Sequence, residues 1–406
     1  MINRRNVLKG LLSLPLIGGL FKDSIAGSML QTTSAIGRDY FKELGLRSYI
    51  NAAGTYTALT GCIMRPEVMD AINYASRQYV QLEDIQERVG ARIAELVHCE
   101  DAQVTAGAFS AMTLGLAGVL TGMDRKKAAQ IPNDLTGMKS EVILQKSHNI
   151  GYSHALRNTG AKIVEVETKK ELEKAINNKT AMLWYLNAHS ADSKISHEEF
   201  IEVAKKNGIP TMNDCAADVP PVENLWKYTK MGYDLVCFSG GKGIKGPQSA
   251  GLLLGKKEFI QAARISAPPN GDTVGRGMKV NKEEVLGMLI ALETYLTMDH
   301  EKEWALWEKQ IKLISDRANS VDGVETEIHV PEIANHVPSL RITWDQSKVR
   351  IKPVEVREAL KNGHPSIETK GGENTVDITT WMMSPGEERI VAERVEILLA
   401  EAANKT

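Results

Sequence analysis

The chain has 406 residues, and 43% of them are hydrophobic, which is enough apolar material for two or three domains. The 49 lysines and arginines nearly balance the 51 aspartates and glutamates, without a basic tract or a dense acidic tail, so a nucleic-acid partner is not expected and a small-molecule substrate is favoured. The four cysteines form no CxxC pair and have no histidine at zinc spacing, so we predict no metal site.

Residues 1–27 differ in character from the rest of the chain. A basic start that contains Arg4 and Arg5 precedes an apolar run from Gly10 to Leu20, which is too short to span a bilayer. This pattern indicates an export signal, and the paired arginines favour the twin-arginine type. We therefore expect a periplasmic protein with no stable membrane span after signal removal. A cytoplasmic protein with a disordered N-terminus is the alternative.

Helical spacing of apolar residues between Pro66 and Val97 predicts one long helix or two consecutive amphipathic helices. Short apolar runs then alternate with helical patterns, as expected for βαβ units and a mostly parallel sheet that is buried on both faces. The predicted strands are residues 102–105, 142–145, 163–166, 182–186, 210–213, 235–238 and 251–254.

A stretch rich in glycine and proline, residues 267–277, predicts a domain junction. We place a large domain, with an N-terminal segment, at residues 28–270 and a small α+β domain at residues 271–406. The expected elements of this C-terminal part are helices at 283–296, around 353–361 and at 385–403, and strands at 339–344 and 375–379.

The strongest local pattern is the segment Phe-Ser-Gly-Gly-Lys-Gly-Ile-Lys-Gly-Pro-Gln at residues 238–248, directly after a predicted strand. Glycines allow the backbone to approach a ligand closely, and Lys242 would project from the strand end into a cleft above the sheet. Burial lowers the pKa of a lysine, which prepares it for imine chemistry. A solvated turn is the alternative interpretation, and the glycine spacing is not that of a Walker loop.

Four further groups each follow a separate predicted strand, and strand ends converge at a ligand crevice in open α/β sheets. Asp214 is placed to pair with a protonated pyridine nitrogen, His148 to lie flat against a bound ring, and Asn187 to hydrogen-bond a phenolic oxygen of that ring. The turn that contains Gly107 and Ala108 opens a helix and offers amides for a phosphate. Taken singly, a histidine or asparagine after a strand is more often a turn or capping residue.

The order and spacing of these residues resemble fold type I pyridoxal-phosphate (PLP) enzymes. Asn187 follows His148 by 39 residues, Asp214 follows after another 27, and Lys242 after another 28. More closely, the chain resembles the bacterial selenocysteine-synthase-like group that contains D-glucosaminate-6-phosphate ammonia-lyases. The matching stretches are residues 50–55, 105–108, 147–149, 213–221, 239–248 and 275–280.

This resemblance implies an α/β fold of the aspartate-aminotransferase type, with a large mostly parallel-sheet domain and a small α+β domain. It implies PLP bound to Lys242 as a Schiff base, Asp214 at the ring nitrogen, and His148 stacked on the ring. It also implies a phosphate held by the Gly107 turn with help from Ser239. Active sites in this fold lie between subunits, so a homo-oligomer is expected.

Other polar residues compete for roles at such a site. Asp218 is an alternative to Asp214 at the ring nitrogen, but Asp214 stands at the strand end itself and is preferred. Arg276 and Arg341 are candidates for a substrate carboxylate, because a guanidinium binds that group through two hydrogen bonds. Solvent-exposed arginines are common, and Arg341 in a strand is equally consistent with a surface position.

The favoured function is a lyase that removes the α-proton of an amino acid or amino-sugar acid and expels a β-hydroxyl, with release of ammonia. Lys242 would act as the general acid and base. Racemisation or aldol cleavage is the alternative within PLP chemistry. From another class, a non-catalytic periplasmic binding protein with the PLP fold is also considered. Retention of Lys242, Asp214 and His148 together argues against a pure binder.

Overall fold

A computed structural model describes residues 37–404, in which residues 37–47 and 48–404 belong to separate units. The predicted export signal lies outside the described residues. Residues 37–47 contain helix α1 (Tyr40–Glu43), whose first turn is capped by the Asp39 side chain. None of the helices between residues 37 and 404 has the length and hydropathy needed to cross a membrane.

The second unit contains all remaining elements. Its helices are α2 (Pro66–Ser76), α3 (Leu82–Val97), α4 (Gly107–Thr121), α5 (Arg125–Gln130), α6 (His154–Arg157), α7 (Lys169–Ala175), α8 (His197–Lys206), α9 (Asn224–Met231), α10 (Lys257–Ile265), α11 (Lys282–Thr297), α12 (His300–Ala318), α13 (Pro353–Asn362) and α14 (Glu387–Ala403). Its strands are β1 (Tyr49–Asn51), β2 (Asp101–Thr105), β3 (Glu141–Gln145), β4 (Lys162–Val166), β5 (Thr180–Leu186), β6 (Thr211–Asp214), β7 (Leu235–Ser239), β8 (Gly251–Gly255), β9 (Val324–His329), β10 (Ser339–Trp344), β11 (Ser366–Glu368) and β12 (Val376–Thr379).

Seven strands form the main sheet in the order β2-β8-β7-β6-β5-β3-β4. Strand β8 runs antiparallel to both of its neighbours, and the other pairings are parallel. Each of these strands coincides with one of the seven runs predicted from sequence. Residues along β5 alternate between two hydrophobic clusters, with Leu183 and Tyr185 in one and Trp184 and Leu186 in the other, so both faces of the sheet are buried.

The parallel strands β3, β5, β6 and β7 end at the same edge of the sheet, which is where ligands bind in open α/β sheets. Asp214 is the last residue of β6, and Ser239 is the last residue of β7. His148 and Asn187 lie in short 3-10 turns that follow β3 and β5. The sheet therefore gathers the ends of the predicted segments along one edge.

A second, antiparallel sheet has the order β12-β10-β9, and β1 pairs in parallel with β11. Helices α13 and α14 and strands β10 and β12 match the predicted elements closely. Helix α12 and strand β9 were not predicted. The predicted helical region 66–97 is two helices, separated at residues 77–81. The domain boundary near residue 270 remains a prediction.

Candidate active site

A cavity of about 400 Å³ opens at the carboxyl edge of the main sheet. It is lined on the main-sheet side by Gly107, Ala108, Asp214, Ser239 and Lys242, all of which were predicted to belong to the site. The opposite wall comes from other segments and includes Thr55, Asn335, Lys370, Thr379 and Trp381. Its size suits a small organic ligand.

Lys242 is held by the glycine-rich loop that follows β7. The loop packs so closely that a Cβ atom at Gly243 would lie 2.1 Å from the carbonyl oxygen of Val219. Burial lowers the pKa of Lys242, and the nearby carboxylates of Asp214 and Asp218 oppose this shift. A larger neutral fraction of the amine at neutral pH follows, as imine chemistry requires.

Lys245 lies in the same loop but has a different environment. Its ammonium is 3.9 Å from the Glu303 carboxylate, and its side chain is not among those that line the cavity. Burial lowers its pKa too, so a shifted pKa alone does not separate the two lysines. Their positions distinguish the two lysines, because Lys242 lines the cavity whereas Lys245 pairs with Glu303.

Asp214 places a buried carboxylate at the cavity floor. It is 3% exposed, and its Oδ1 accepts a hydrogen bond from the amide of Ala216 at 3.0 Å and from the Cys237 thiol at 3.5 Å. Burial raises the pKa of Asp214, while the charge on Lys242 opposes the rise. A protonated ring nitrogen in the cavity would stabilise the ionised form further.

Asp218 is also buried, but it does not line the cavity. Its Oδ1 accepts a hydrogen bond from the Ala334 amide at 3.1 Å, and its Oδ2 has no hydrogen-bond partner within residues 37–404. Burial raises the pKa of Asp218 to about 7. The nearby Asn187 side chain opposes this rise, and the charge on Asp214 adds to it. This placement supports Asp214 as the residue beneath a bound ring.

The start of α4 provides an anion site beside Lys242. Gly107 has φ +80°, and no side chain caps this 15-residue helix, so its first amides are available to a ligand. Gly251 permits the arrangement, because a Cβ atom there would lie 2.5 Å from the carbonyl carbon of Gly107. Ala108 and Ser239 line the same part of the cavity. These residues fit the phosphate of PLP.

His148 does not reach the cavity. It is fully buried, its Nδ1 accepts a hydrogen bond from the Leu186 amide at 3.2 Å, and its Nε2 bonds to the Ser193 hydroxyl at 2.8 Å. Burial lowers its pKa to about 4, so the ring is neutral. Its ring packs edge-on against Tyr185, with the ring centroids 4.5 Å apart. The placement gives no support to the predicted stacking role.

Asn187 is also turned away from the cavity. It is 2% exposed and accepts hydrogen bonds from the Ser190 hydroxyl, in the 3-10 turn Asn187–Asp192. His189, two residues further on, does line the cavity. The Ser193 hydroxyl, which contacts His148, donates to the His189 carbonyl, so His148 supports the turn that carries His189. The role predicted for Asn187 stays a prediction, and His189 is the polar residue of this turn that lines the cavity.

The two candidate arginines also lie away from the cavity. Arg276 is exposed, and neither arginine is among the lining residues. Arg341 lies opposite Glu327 and Asp377 in the antiparallel sheet, with nitrogen–oxygen distances of 3.1 and 3.6 Å. Lys370, in contrast to the two arginines, lines the cavity. Its sequence surroundings carry no motif that would have identified it.

The model of the family described as "L-seryl-tRNA selenium transferase" matches residues 49–349. The chain belongs to this family. It is 30% identical over 338 residues to D-glucosaminate-6-phosphate ammonia lyase of Salmonella typhimurium, covering 80% of this chain and 88% of the relative. A solved structure of D-glucosaminate-6-phosphate ammonia-lyase superimposes with a TM-score of 0.79 at 27% identity, covering 90% of this chain and all of that one.

A second relative is named for a different reaction. The chain is 26% identical over 377 residues to 5'-C-glycyluridine monooxygenase-decarboxylase of a Streptomyces species, covering 89% of this chain and 92% of the relative. A structure of SPT with PLP has a TM-score of 0.56 at 14% identity, covering 87% of this chain and 88% of that chain, and shares the fold alone. The family match and the similarity to the ammonia lyase, together with this fold, show a PLP-dependent enzyme of fold type I, as predicted for the fold and the cofactor.

Proposed function

We propose that this enzyme is a PLP-dependent ammonia-lyase that acts on an amino-sugar acid or another β-hydroxy amino acid. The observation that carries the proposal is the single cavity that combines Lys242, the buried Asp214 and the uncapped start of α4. The ammonia lyase of Salmonella typhimurium, 30% identical over most of both chains, supports the reaction type.

When bound, PLP supplies an electron-poor ring that stabilises negative charge on the carbon next to the substrate amino group. Asp214 would hold the ring nitrogen protonated, and the amides of Gly107 and Ala108 would hold the phosphate. The lowered pKa of Lys242 lets its amine take the α-proton, and the resulting ammonium can give that proton to the departing β-hydroxyl. The hydroxyl leaves as water, and hydrolysis then releases ammonia and a 2-keto acid.

This reaction predicts the products directly. Purified enzyme with bound PLP, supplied with D-glucosaminate or its 6-phosphate, should release ammonia and a 2-keto acid in equal amounts. Both products are measured by coupled assay, and the substrate's optical rotation and any aldehyde are followed in the same samples. A change in optical rotation without ammonia, from inversion at the α-carbon alone, would indicate a racemase-type reaction, and release of glycine with an aldehyde would indicate an aldolase. Either result contradicts the lyase.

Lys370 is the proposed partner of the substrate carboxylate. It is half-buried and lines the same cavity as Lys242, and burial lowers its pKa while Asp377 opposes the shift. Lys370→Ala should raise KM about tenfold or more and change kcat by only a few-fold, because the lost contact serves binding. Steady-state kinetics checks this, with Arg341→Ala as the matched control. An unchanged KM in Lys370→Ala, or a larger effect in Arg341→Ala, contradicts the assignment.

Assembly and location complete the proposal. Three aromatic residues that line the cavity are exposed in the single chain: Tyr56 at 50%, Phe109 at 37% and Tyr152 at 61%. Large apolar groups at a cavity rim favour cover by a second copy of the chain, and we propose a homo-oligomer.

The basic start and short apolar run of residues 1–27 support export to the periplasm.

A further inference from the structure

A strained loop contributes Ala334 and Asn335 to the cavity wall. In residues 331–337, which precede β10, Ala334 has φ 54° and Asn335 has φ 48°. Two successive residues with side chains in the left-handed region are unfavourable, and such backbone persists only where its surroundings hold it. Strain of this kind is concentrated at ligand sites, so the contacts that hold this loop are informative.

The loop is held by the segment that follows β6. The Ala334 amide donates to the Asp218 carboxylate at 3.1 Å, and the Asn335 amide donates to the Ala217 carbonyl at 2.8 Å. Asp218 is 2% exposed, so its hydrogen bond to Ala334 is shielded from water. This segment begins directly after Asp214, the last residue of β6, and it therefore links the loop to the strand end that carries Asp214.

The loop presents Asn335 to the cavity. The Thr55 hydroxyl lies 3.5 Å from the Asn335 side-chain oxygen, which is longer than an ordinary hydroxyl hydrogen bond. Within residues 37–404 the Asn335 Nδ2 group has no hydrogen-bond acceptor. The cavity wall thus carries a half-buried amide donor that bonds to no other described residue.

Two more unused polar groups lie on the same wall. The Thr379 hydroxyl and the Trp381 indole nitrogen are buried and have no hydrogen-bond partner within the described residues. A Cβ atom at Gly54 would lie 3.4 Å from the indole nitrogen and 3.7 Å from the hydroxyl, so the two groups are neighbours. Buried polar groups without partners are rare in folded proteins, and a ligand that supplies oxygen atoms would satisfy them.

We propose that Asn335, Thr379 and Trp381 recognise the hydroxylated chain of the substrate, and that Asp218 is a positioning residue that holds Asn335 in place. The inference rests on the proposed function, which sets the substrate's amino group at the cofactor and its chain against this wall. The substrate class is an amino acid whose carbon chain carries several hydroxyl groups. An unsubstituted chain of the same length would leave all three groups unpaired.

Binding is tested with the enzyme carrying PLP, by titrating the absorbance of the bound cofactor with two ligands. D-glucosaminate has the hydroxylated chain, and D-2-aminohexanoate has six carbons and no hydroxyl groups. Asn335→Ala should weaken D-glucosaminate binding up to about tenfold and leave D-2-aminohexanoate unchanged, since one hydrogen bond to a hydroxyl of the substrate is lost. Thr379→Val, which removes only the hydroxyl function, should show the same selective loss even if the loop variant is poorly folded.

Ala334→Gly is the matched control, because it relieves strain and keeps the amide that binds Asp218. It should retain the wild-type preference. Asp218→Ala should reproduce the selective loss of Asn335→Ala. The double variant that carries both substitutions should bind D-glucosaminate no more weakly than either single variant, as expected for groups that act as one unit. Equal weakening of both ligands in Asn335→Ala and Thr379→Val, or no preference in the wild type, overturns the inference.

The same titrations separate this inference from the proposed function. If D-glucosaminate binds selectively and no ammonia is released, the lyase assignment is wrong and the recognition of the hydroxylated chain is supported. If ammonia is released and Asn335→Ala and Thr379→Val bind D-glucosaminate as wild type does, the lyase assignment is supported and the proposed recognition is wrong.

Discussion

Lys242→Ala should reduce kcat for ammonia release by about 10³-fold or more. The substitution removes both the covalent attachment point of PLP and the group that moves the α-proton, and general acid–base catalysis by one residue contributes about 10²- to 10⁴-fold. The expected cause is the position of Lys242 in the cavity rather than a general effect of the glycine-rich loop. Single-turnover measurements with added PLP would separate lost chemistry from lost cofactor.

Lys245→Ala is the control for this prediction. It lies three residues along the same loop and faces Glu303 instead of the cavity, so its removal should change kcat by only a few-fold. Circular dichroism of both variants checks that the fold is intact. Turnover within tenfold of wild type in Lys242→Ala would contradict the assigned role, as would a larger loss in Lys245→Ala.

Asp214→Ala should reduce kcat about a hundredfold while PLP remains bound. A buried anion beneath the ring nitrogen keeps the ring electron-poor, and one such electrostatic partner in a dry site is worth ~3 kcal/mol of transition-state stabilisation. The phosphate seat at the start of α4 and Lys242 are untouched, so cofactor retention should persist. Asp218→Ala is the matched control, because Asp218 is equally buried but does not line the cavity.

Kinetics and cofactor absorbance of the two aspartate variants decide the assignment. A larger loss of kcat in Asp218→Ala than in Asp214→Ala would invert it. In Asp218→Ala the expected defect lies in substrate affinity, through the hydrogen bond to the Ala334 amide. The two carboxylates should therefore be distinguished by which kinetic constant changes, kcat for Asp214 and KM for Asp218.

The main sheet was predictable from sequence because each strand is a short apolar run between helical patterns. Strands that are buried on both faces leave this signature whatever their partners. Strand β9 was missed because only Val324 of its six residues is buried, and its glutamates give it the composition of a surface segment. Helix α12 was missed because its buried positions include Gln310 and Ser315 among the apolar residues.

The site was predictable where a residue occupies a strand end and less so where it lies in a turn. Asp214 and Ser239 end their strands, and the uncapped start of α4 follows directly from β2. His148 and Asn187 lie in 3-10 turns, whose local conformation decides which side chain faces the cavity. Sequence spacing carries no information on that choice.

The opposite wall of the cavity was not predicted at all. Thr55, Asn335 and Lys370 come from segments far apart in the chain, and their convergence depends on how the smaller sheet packs. The same is true of Arg341, whose pairing with Glu327 and Asp377 follows from the register of three strands. The register cannot be read from the sequence, so the sequence did not show that two carboxylates of the same sheet lie opposite Arg341.

The most direct test of the account is chemical fixation of the cofactor. Reduction of the enzyme carrying PLP with borohydride, followed by proteolysis and mass spectrometry, should locate the pyridoxyl group on the peptide that contains Lys242. Lys242 and Lys245 are distinguished by fragment ions within that peptide. A protein that retains no PLP, or a pyridoxyl group found on Lys245, Lys370 or any other lysine, would contradict the central assignment.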